Sequence, residues 1–235
     1  MLAFVFGVSD EVKMTTAQCR RIVDVAHWIA TGDFVAMLPL FPLELVLLPG
    51  TPLPLHIFEP RYKEMIGECI AAEAPFGVVR AFDEGIAEVG CTAEIITVTK
   101  EYEDGRMDLI CEGRKRFEVI EVNRDRSFLQ AEVLIVPDEP GTAVQEERVK
   151  AVQLHLEILS LAGAVQDLSA ADQNQLSFYL AGSLPLDLDF KQKLLAMRSE
   201  AQRIQAVGVY LETILPQLKR AARARQTAGG NGHVH

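Results

Sequence analysis

The chain has 235 residues, 49% hydrophobic and 24% charged, the composition of an ordinary globular protein with enough apolar mass for a sizeable core. Thirty-three acidic against twenty-three basic side chains give a net charge of −10, which repels polyanions on average and weakens any case for broad nucleic-acid binding. The apolar run from Phe34 to Leu48 is too short for a membrane span and is interrupted by Pro39, Pro42 and Glu44.

Residues 1–36 hold one expected helix, Thr15 to Ala30, before a Thr31-Gly32-Asp33 break. They read either as an N-terminal extension or as the product of an upstream start codon, with Met37 standing just before the next segment. MLAFVFGV lacks a leading basic region and meets Asp10 and Glu11 before any cleavage site, which argues against a secretory signal. Cys19, Cys69, Cys91 and Cys111 form no CxxC pair, so they read as reduced thiols, three of them at apolar periodic positions, in a cytoplasmic protein.

Leu38 to Tyr62, LPLFPLELVLLPGTPLPLHIFEPRY, carries six of the eleven prolines among alternating apolar residues. Interior prolines remove backbone donors and clash with the preceding helical turn, whereas edge strands and turns tolerate them. The pattern predicts a strand with Leu43, Leu45 and Leu47 on one face, a turn at Pro49-Gly50, and a second strand with Leu53, Leu55 and Ile57 on one face. At Pro60 the period changes to helical. Tyr62, Met65, Ile66, Cys69 and Ile70 mark an apolar face, and Lys63, Glu64 and Glu68 the other.

From Phe76 the period is two. Phe76, Val78 and Phe82, then Ile96 and Val98 against Ile95 and Thr97, then Met107, Leu109 and Cys111, then Phe117 and Val119, then Leu129, Ala131, Val133 and Ile135 predict strands. Asp104-Gly105 signals a hairpin and Asn123 to Ser127 a looser turn. About six or seven strands with one early helix suit a small, partly closed barrel rather than a parallel sheet.

Pro137 to Gly141 reads as a linker, and helical periods follow. A first helix is expected from Val144 to Ala162, ending at Gly163. A second opens at the Ser169–Asp172 capping box and stops at Gly182, and a third runs from Asp189 to Met197. A fourth is capped by Ser199 and Gln202 and carries Ile204, Val207, Leu211, Ile214 and Leu218 on one face, with Pro216 expected to kink it. The expected division is an extension at 1–36, a barrel at 37–137, a helical part at 143–226, and a disordered polar tail at 227–235.

The Leu38–Tyr62 stretch resembles the opening of the Lon protease N-terminal, or Lon substrate-binding, domain in its stand-alone bacterial form. LPLDLDFKQKLLAM, Leu184 to Met197, followed by Glu200 and Arg203-Ile204, resembles the helical part of the same family. The two matches, in the right order, bracket roughly residues 38 to 215. The resemblance implies an α+β fold: a PUA-like β pseudo-barrel with one inserted helix, followed by a C-terminal helical bundle. It also implies a non-catalytic role in binding extended or partly unfolded polypeptide, with a separate ATPase or protease as a possible partner.

No GxxxxGK[ST] loop is present to cradle nucleotide phosphates, and Ser183 lacks a GxSxG elbow, so it reads as a helix-terminating turn. None of His27, His56, His155, His233 and His235 pairs with a cysteine at zinc-ligand spacing, so neither metal nor cofactor is expected. The expected binding residues are Leu53, Pro54, His56, Phe58 and Arg61, with Arg114 and Arg116 as a polar rim. They would act through apolar surface on the proline-rich strands, through an exposed strand edge, or in a cleft between barrel and helices. His56 faces away from the core, as a surface residue or a binding rim; Arg61 anchors a carboxylate inside the fold or on a partner. Gly113 to Arg116 is either a charge-protected strand edge or a contact for RNA phosphates, which keeps a PUA-like RNA-binding module as the alternative. A peptidase name inherited from full-length relatives is a third possibility, and a homodimer is open.

Overall fold

A computed structural model describes residues 36–141, 143–165 and 175–229, with side chains between Met37 and Ala224. The expected helix Thr15–Ala30, the Ser169–Asp172 capping box and the chain beyond Gly229 lie outside the described residues. Strands β1 (Ala36–Leu43), β2 (Pro52–Ile57), β3 (Phe76–Phe82), β4 (Gly85–Ile86), β5 (Val89–Glu101), β6 (Met107–Asn123) and β7 (Leu129–Ile135) form one sheet. Its order is β1-β7-β6-β5-β3-β4, and a parallel β1–β3 pairing closes a ring, while β2 pairs only with β6. Helix α1 (Pro60–Ala71) is inserted early, and α2 (Gln145–Leu161), α3 (Leu176–Gly182), α4 (Leu188–Ala196) and α5 (Glu200–Gly229) follow the strands. The expected α+β class and barrel-plus-helices order therefore stand.

The first strand lies earlier than the leucine alternation predicted: β1 ends at Leu43, and Leu45 and Leu47 pack into the core from irregular chain. Ala36–Leu40 pairs with β7 and Leu40–Leu43 with β3, so Pro39 and Pro42 each sit where only one edge is paired. An edge position is where a missing donor is tolerated. Gly50, at φ 72°, makes the turn into β2, and its N–H donates to Gly113 O at 2.8 Å. Gly113 is required there, since a Cβ would lie 2.3 Å from Leu48 O.

Helix α1 begins at Pro60 as predicted and buries Tyr62, Met65, Ile66 and Cys69, but Ile70 is 40% exposed. Bulges in β5 break the simple alternation: Ile95 pairs with Cys111 and Val98 with Leu109, while Thr97 opposes Ile110 and Ile96 turns outward. Gly105, at φ 76°, closes the predicted β5–β6 hairpin. Helix α5 runs through Pro216 to Gly229, past the expected end of the helical part at 226; its buried face is Ile204, Val207, Leu211 and Leu215, not Leu218. Ion pairs Lys150–Glu212 (2.9 Å) and Glu157–Lys219 (2.5 Å) show α2 and α5 running parallel.

One apolar cluster passes without a break from barrel residues Phe41, Phe76 and Leu109 through Met65 and Ile66 of α1 to Phe178, Leu194, Ile204 and Leu211 of the helices. Each fully buried large side chain contributes roughly 1.5–3 kcal/mol. A smaller cluster of Leu38, Leu40, Val79, Phe117, Ala131 and Val133 fills the ring itself. Cys69, Cys91 and Cys111 are buried free thiols, with burial pushing each up to about 12.

Candidate functional site

Strands β2, β6 and β5 form a three-stranded ribbon with one face toward α1 and the core and the other toward solvent. Register sets its outer rows: Pro54 opposes Ile110, which opposes Thr97; His56 opposes Asp108, which opposes Lys100. Alternation in β2 sends Leu53 and Ile57 inward and leaves Pro52, Pro54 and His56 exposed. Phe58, just past the strand, is 58% exposed, and Ile96 and Ile110 add apolar surface to the same sheet.

His56 and Phe58 stack with centroids 6.0 Å apart, and Tyr102 meets His56 edge-on at 5.9 Å. Asp108 joins them: its Oδ1 takes the His56 Nδ1 contact at 2.5 Å and its Oδ2 accepts from the Tyr102 hydroxyl at 2.9 Å. These bonds, His56 first and Tyr102 next, hold the Asp108 carboxyl below its ordinary range. Lys100 and Arg106 lie over the Tyr102 ring at 4.3 and 4.8 Å. The result is an aromatic ledge braced by a carboxylate at the open end of the ribbon.

Of the residues expected from sequence, Pro54, His56 and Phe58 come together on this ledge. Arg61 lies nearby but turns to Glu59 (2.8 Å) and to the Tyr62 ring (4.5 Å), a local exposed pair rather than an internal anchor. Arg114 stays on the outer face, bound to Glu94 (2.6 Å) and Glu112 (2.5 Å). Two expectations are corrected. Leu53 is 6% exposed and belongs to the core, because it shares the inward face with Leu55 and Ile57. Arg116 is 4% exposed and cannot act as a rim.

Arg116 instead fixes the barrel to the helices. Its guanidinium donates to Leu195 O (2.8 Å), Met197 O (2.6 Å) and Asp138 Oδ1 (2.5 Å). Arg203 reaches the same Asp138 with two nitrogens, at 2.7 and 2.8 Å, and Glu200 at 2.8 Å. Both guanidiniums face the Phe178 ring, at 5.6 and 4.3 Å. Glu200 also accepts from Ser177 N and Oγ. Burial pulls Arg116 below its ordinary value, and Asp138 opposes that pull. With the shared core, this network occupies much of the junction where a cleft between barrel and helices was expected, beside a small cavity of about 190 Å³ lined in part by Asp138, Ala143 and Glu200. An open groove of about 580 Å³ lies instead among the helices, lined in part by Phe190, Met197, Val209 and Tyr210.

Tyr102, Asp108, Ile96 and Ile110 were missed from sequence. Tyr102 had one signal, its place beside the Asp104-Gly105 turn; the others depend on which strand lies next to β2. Ser183 caps α3 and donates to Leu180 O at 3.1 Å, as a helix-terminating residue should. Among the described residues no group of three or more His, Cys, Asp or Glu could hold a metal ion, and no helix is long and apolar enough to cross a membrane.

Residues 37–213 match the model of the ATP-dependent protease La (LON) substrate-binding domain. The chain is 26% identical over 192 residues to a Lon protease of Cytophaga hutchinsonii, covering 73% of this chain and 23% of that protein. It is 32% identical over 124 residues to Protein cereblon of Xenopus tropicalis, covering 48% of this chain and 28% of that one. The chain thus spans about a quarter of the length of these curated relatives. Among solved structures, a Lon N-terminal domain protein from Xanthomonas campestris superposes with a TM-score of 0.60 at 30% identity, covering 73% of this chain and 96% of that one. The N-terminal domain of Mycobacterium avium complex Lon protease shares the fold, with a TM-score of 0.57 at 18% identity over 75% of this chain and 98% of that one.

Proposed function

The chain belongs to the ATP-dependent protease La (LON) substrate-binding domain family, and from that premise we propose that it is a non-catalytic module capturing extended or partly unfolded polypeptide on the outer face of the β2–β6–β5 ribbon. The exposed aromatic ledge of Phe58, His56 and Tyr102, continued by Pro54, Ile110 and Ile96, is the observation that carries this reading. Apolar side chains of a client would lie on it, and Arg114, Glu94 and Glu112 border it.

Capture by the face is favoured over strand addition at the edge of β2. A proline keeps its place in a ladder only where its missing donor would point away from the partner strand, so Pro52 and Pro54 deprive the outer edge of two donors. The basic cluster at Gly113–Arg116 gives the RNA alternative little support, because Arg116 is buried and Arg114 is held by two glutamates.

Any cleavage of clients would fall to a separate ATPase or protease, and the module would work in the cytoplasm as a monomer or a homodimer. Fluorescence anisotropy with a labelled, permanently unfolded casein fragment tests the binding role. Binding is expected, weakened about fivefold or more by Phe58→Ala; binding unaffected by Phe58→Ala and Ile110→Ser together would remove the ledge from the mechanism. Incubation with casein and ATP is expected to leave the casein intact, and steady turnover would overturn the non-catalytic assignment.

A further inference from the structure

The outer face of the ribbon is built in rows. From Pro52 opposite Glu112 to Ile57 opposite Met107 the β2–β6 register runs without a bulge, so every second residue of each strand faces outward. The first row, at the ledge, is His56, Asp108 and Lys100; the second is Pro54, Ile110 and Thr97; the third is Pro52, Glu112 and Glu94. Successive rows lie about 6.8 Å apart, two residues of an antiparallel strand, whereas neighbours within a row are only about 4.8 Å apart. The rows also differ in charge. Asp108 faces Lys100 in the first and the second has no ionisable group, but in the third Glu112 (2.5 Å) and Glu94 (2.6 Å) share the single guanidinium of Arg114, which leaves one negative charge at that end. Both carboxylates stay accessible, with the Glu112 side chain 34% and the Glu94 side chain 55% exposed.

Resting on the reading of this face as a client site, we infer that it selects extended segments carrying an aromatic, an aliphatic and a basic side chain at every second position, in that order from the ledge. An extended client laid along the strands repeats its same-side side chains at the spacing of the rows, about 6.8 Å, and meets all three; one laid across the strands falls out of step. The aromatic ring packs on Phe58 and Tyr102 and the aliphatic side chain on Pro54 and Ile110, while the cation takes the charge that Arg114 leaves on Glu94 and Glu112. A cation beyond the ledge would meet Lys100 and Arg106 instead. The net charge of −10 draws any basic peptide to the protein, but it does not distinguish the two ends of one peptide.

The test uses the full chain and three fluorescein-labelled peptides of equal composition in a Gly/Ser frame, with the cores Phe-Ser-Ile-Ser-Lys, Lys-Ser-Phe-Ser-Ile and Phe-Ile-Ser-Ser-Lys. The first is expected to bind about 2- to 5-fold tighter than the second, the value of one exposed ion pair, and the gap should close in about 0.5 M NaCl. It should also bind about fivefold tighter than the third, whose adjacent apolar side chains point to opposite sides of an extended chain, so that only one reaches the face. Glu94→Gln combined with Glu112→Gln should erase the gap between the first two peptides, with circular dichroism checking that the variant folds. Equal binding of the first two by the unaltered protein, with Phe58→Ala weakening both, overturns the inference and leaves the face as a client site. A gap that survives the double variant overturns it too, as does a third peptide bound as tightly as the first. Failure of all three peptides to bind overturns the client-site reading as well.

Discussion

Arg203 has no exposed surface and makes hydrogen bonds to Asp138, Glu200, Ser177 and the carbonyl of Met197. Truncating it would leave two carboxylates short of a cation in or beside the core. Arg203→Ala is therefore expected to cost about 3–5 kcal/mol, read from urea denaturation, because removing one partner of a buried pair strands the other. Arg203→Lys should recover only part of this, since one ammonium cannot match a fork that meets Asp138 with two nitrogens. Phe58 behaves oppositely. Its ring is 58% exposed, so Phe58→Ala should change stability by less than about 0.5 kcal/mol while weakening client binding. Sequence made Phe58 and His56 visible because a period of two assigns faces without knowledge of partners. Arg116 was misread because its partners, Asp138, Leu195 and Met197, lie far along the chain, and a GRKR string looks solvated until those acceptors are in place.

Helix α1 is tied to the β6–β7 turn by Arg126, which bonds Glu68 at 2.5 and 2.7 Å and Glu64 at 2.7 Å, while Ser127 donates to Glu64. The Ser127 and Arg126 bonds hold the Glu64 carboxyl below its ordinary value of 4.5. A carboxyl depressed in the folded state stabilises above its unfolded value, and the gain is lost as pH falls through the folded one. Arg126→Gln should therefore unfold more easily than the parent at neutral pH, with the gap narrowing as pH drops below about 4.5; a gap unchanged in acid would rule this linkage out. Gly113→Ala should destabilise by about 1–3 kcal/mol in thermal melts, because the added Cβ meets the Leu48 carbonyl, a backbone atom that cannot swing aside. Elements with clean periodicity, such as the helix at Pro60 and the hairpin at Asp104-Gly105, were legible in advance. The start of β1 was not, since its register depends on β7 and β3 rather than on its own leucines. Nor were the β5 bulges, which turn Ile96 outward against the local alternation.

The barrel and the helices share one core and are joined again by the Arg116–Asp138–Arg203 network. A boundary near Pro137, drawn from linker composition, thus divides strands from helices without separating two cores. Far-UV circular dichroism and near-UV tyrosine signals are expected to report a single coincident unfolding transition. Two resolved transitions would show that the parts hold together independently. Family and architecture were readable because two well-separated motifs stood in order, whereas the ledge required the pairing of β2 with β6 across a gap that no local pattern bridges.

The ring closes late in synthesis. Ala36 pairs with Val133, and the parallel partner of β1 is β3, so the strand nearest the start of the described chain has no complete neighbourhood until β7 exists. On a translating ribosome, β1 and its apolar residues Leu38 and Leu40 must wait for almost a hundred further residues before they are covered. Such long-range closure slows folding and leaves a nascent chain exposed to its own kind. Prolines at 39 and 42 are thus as useful during that wait as in the finished barrel, because they make a waiting strand a poor template for neighbours.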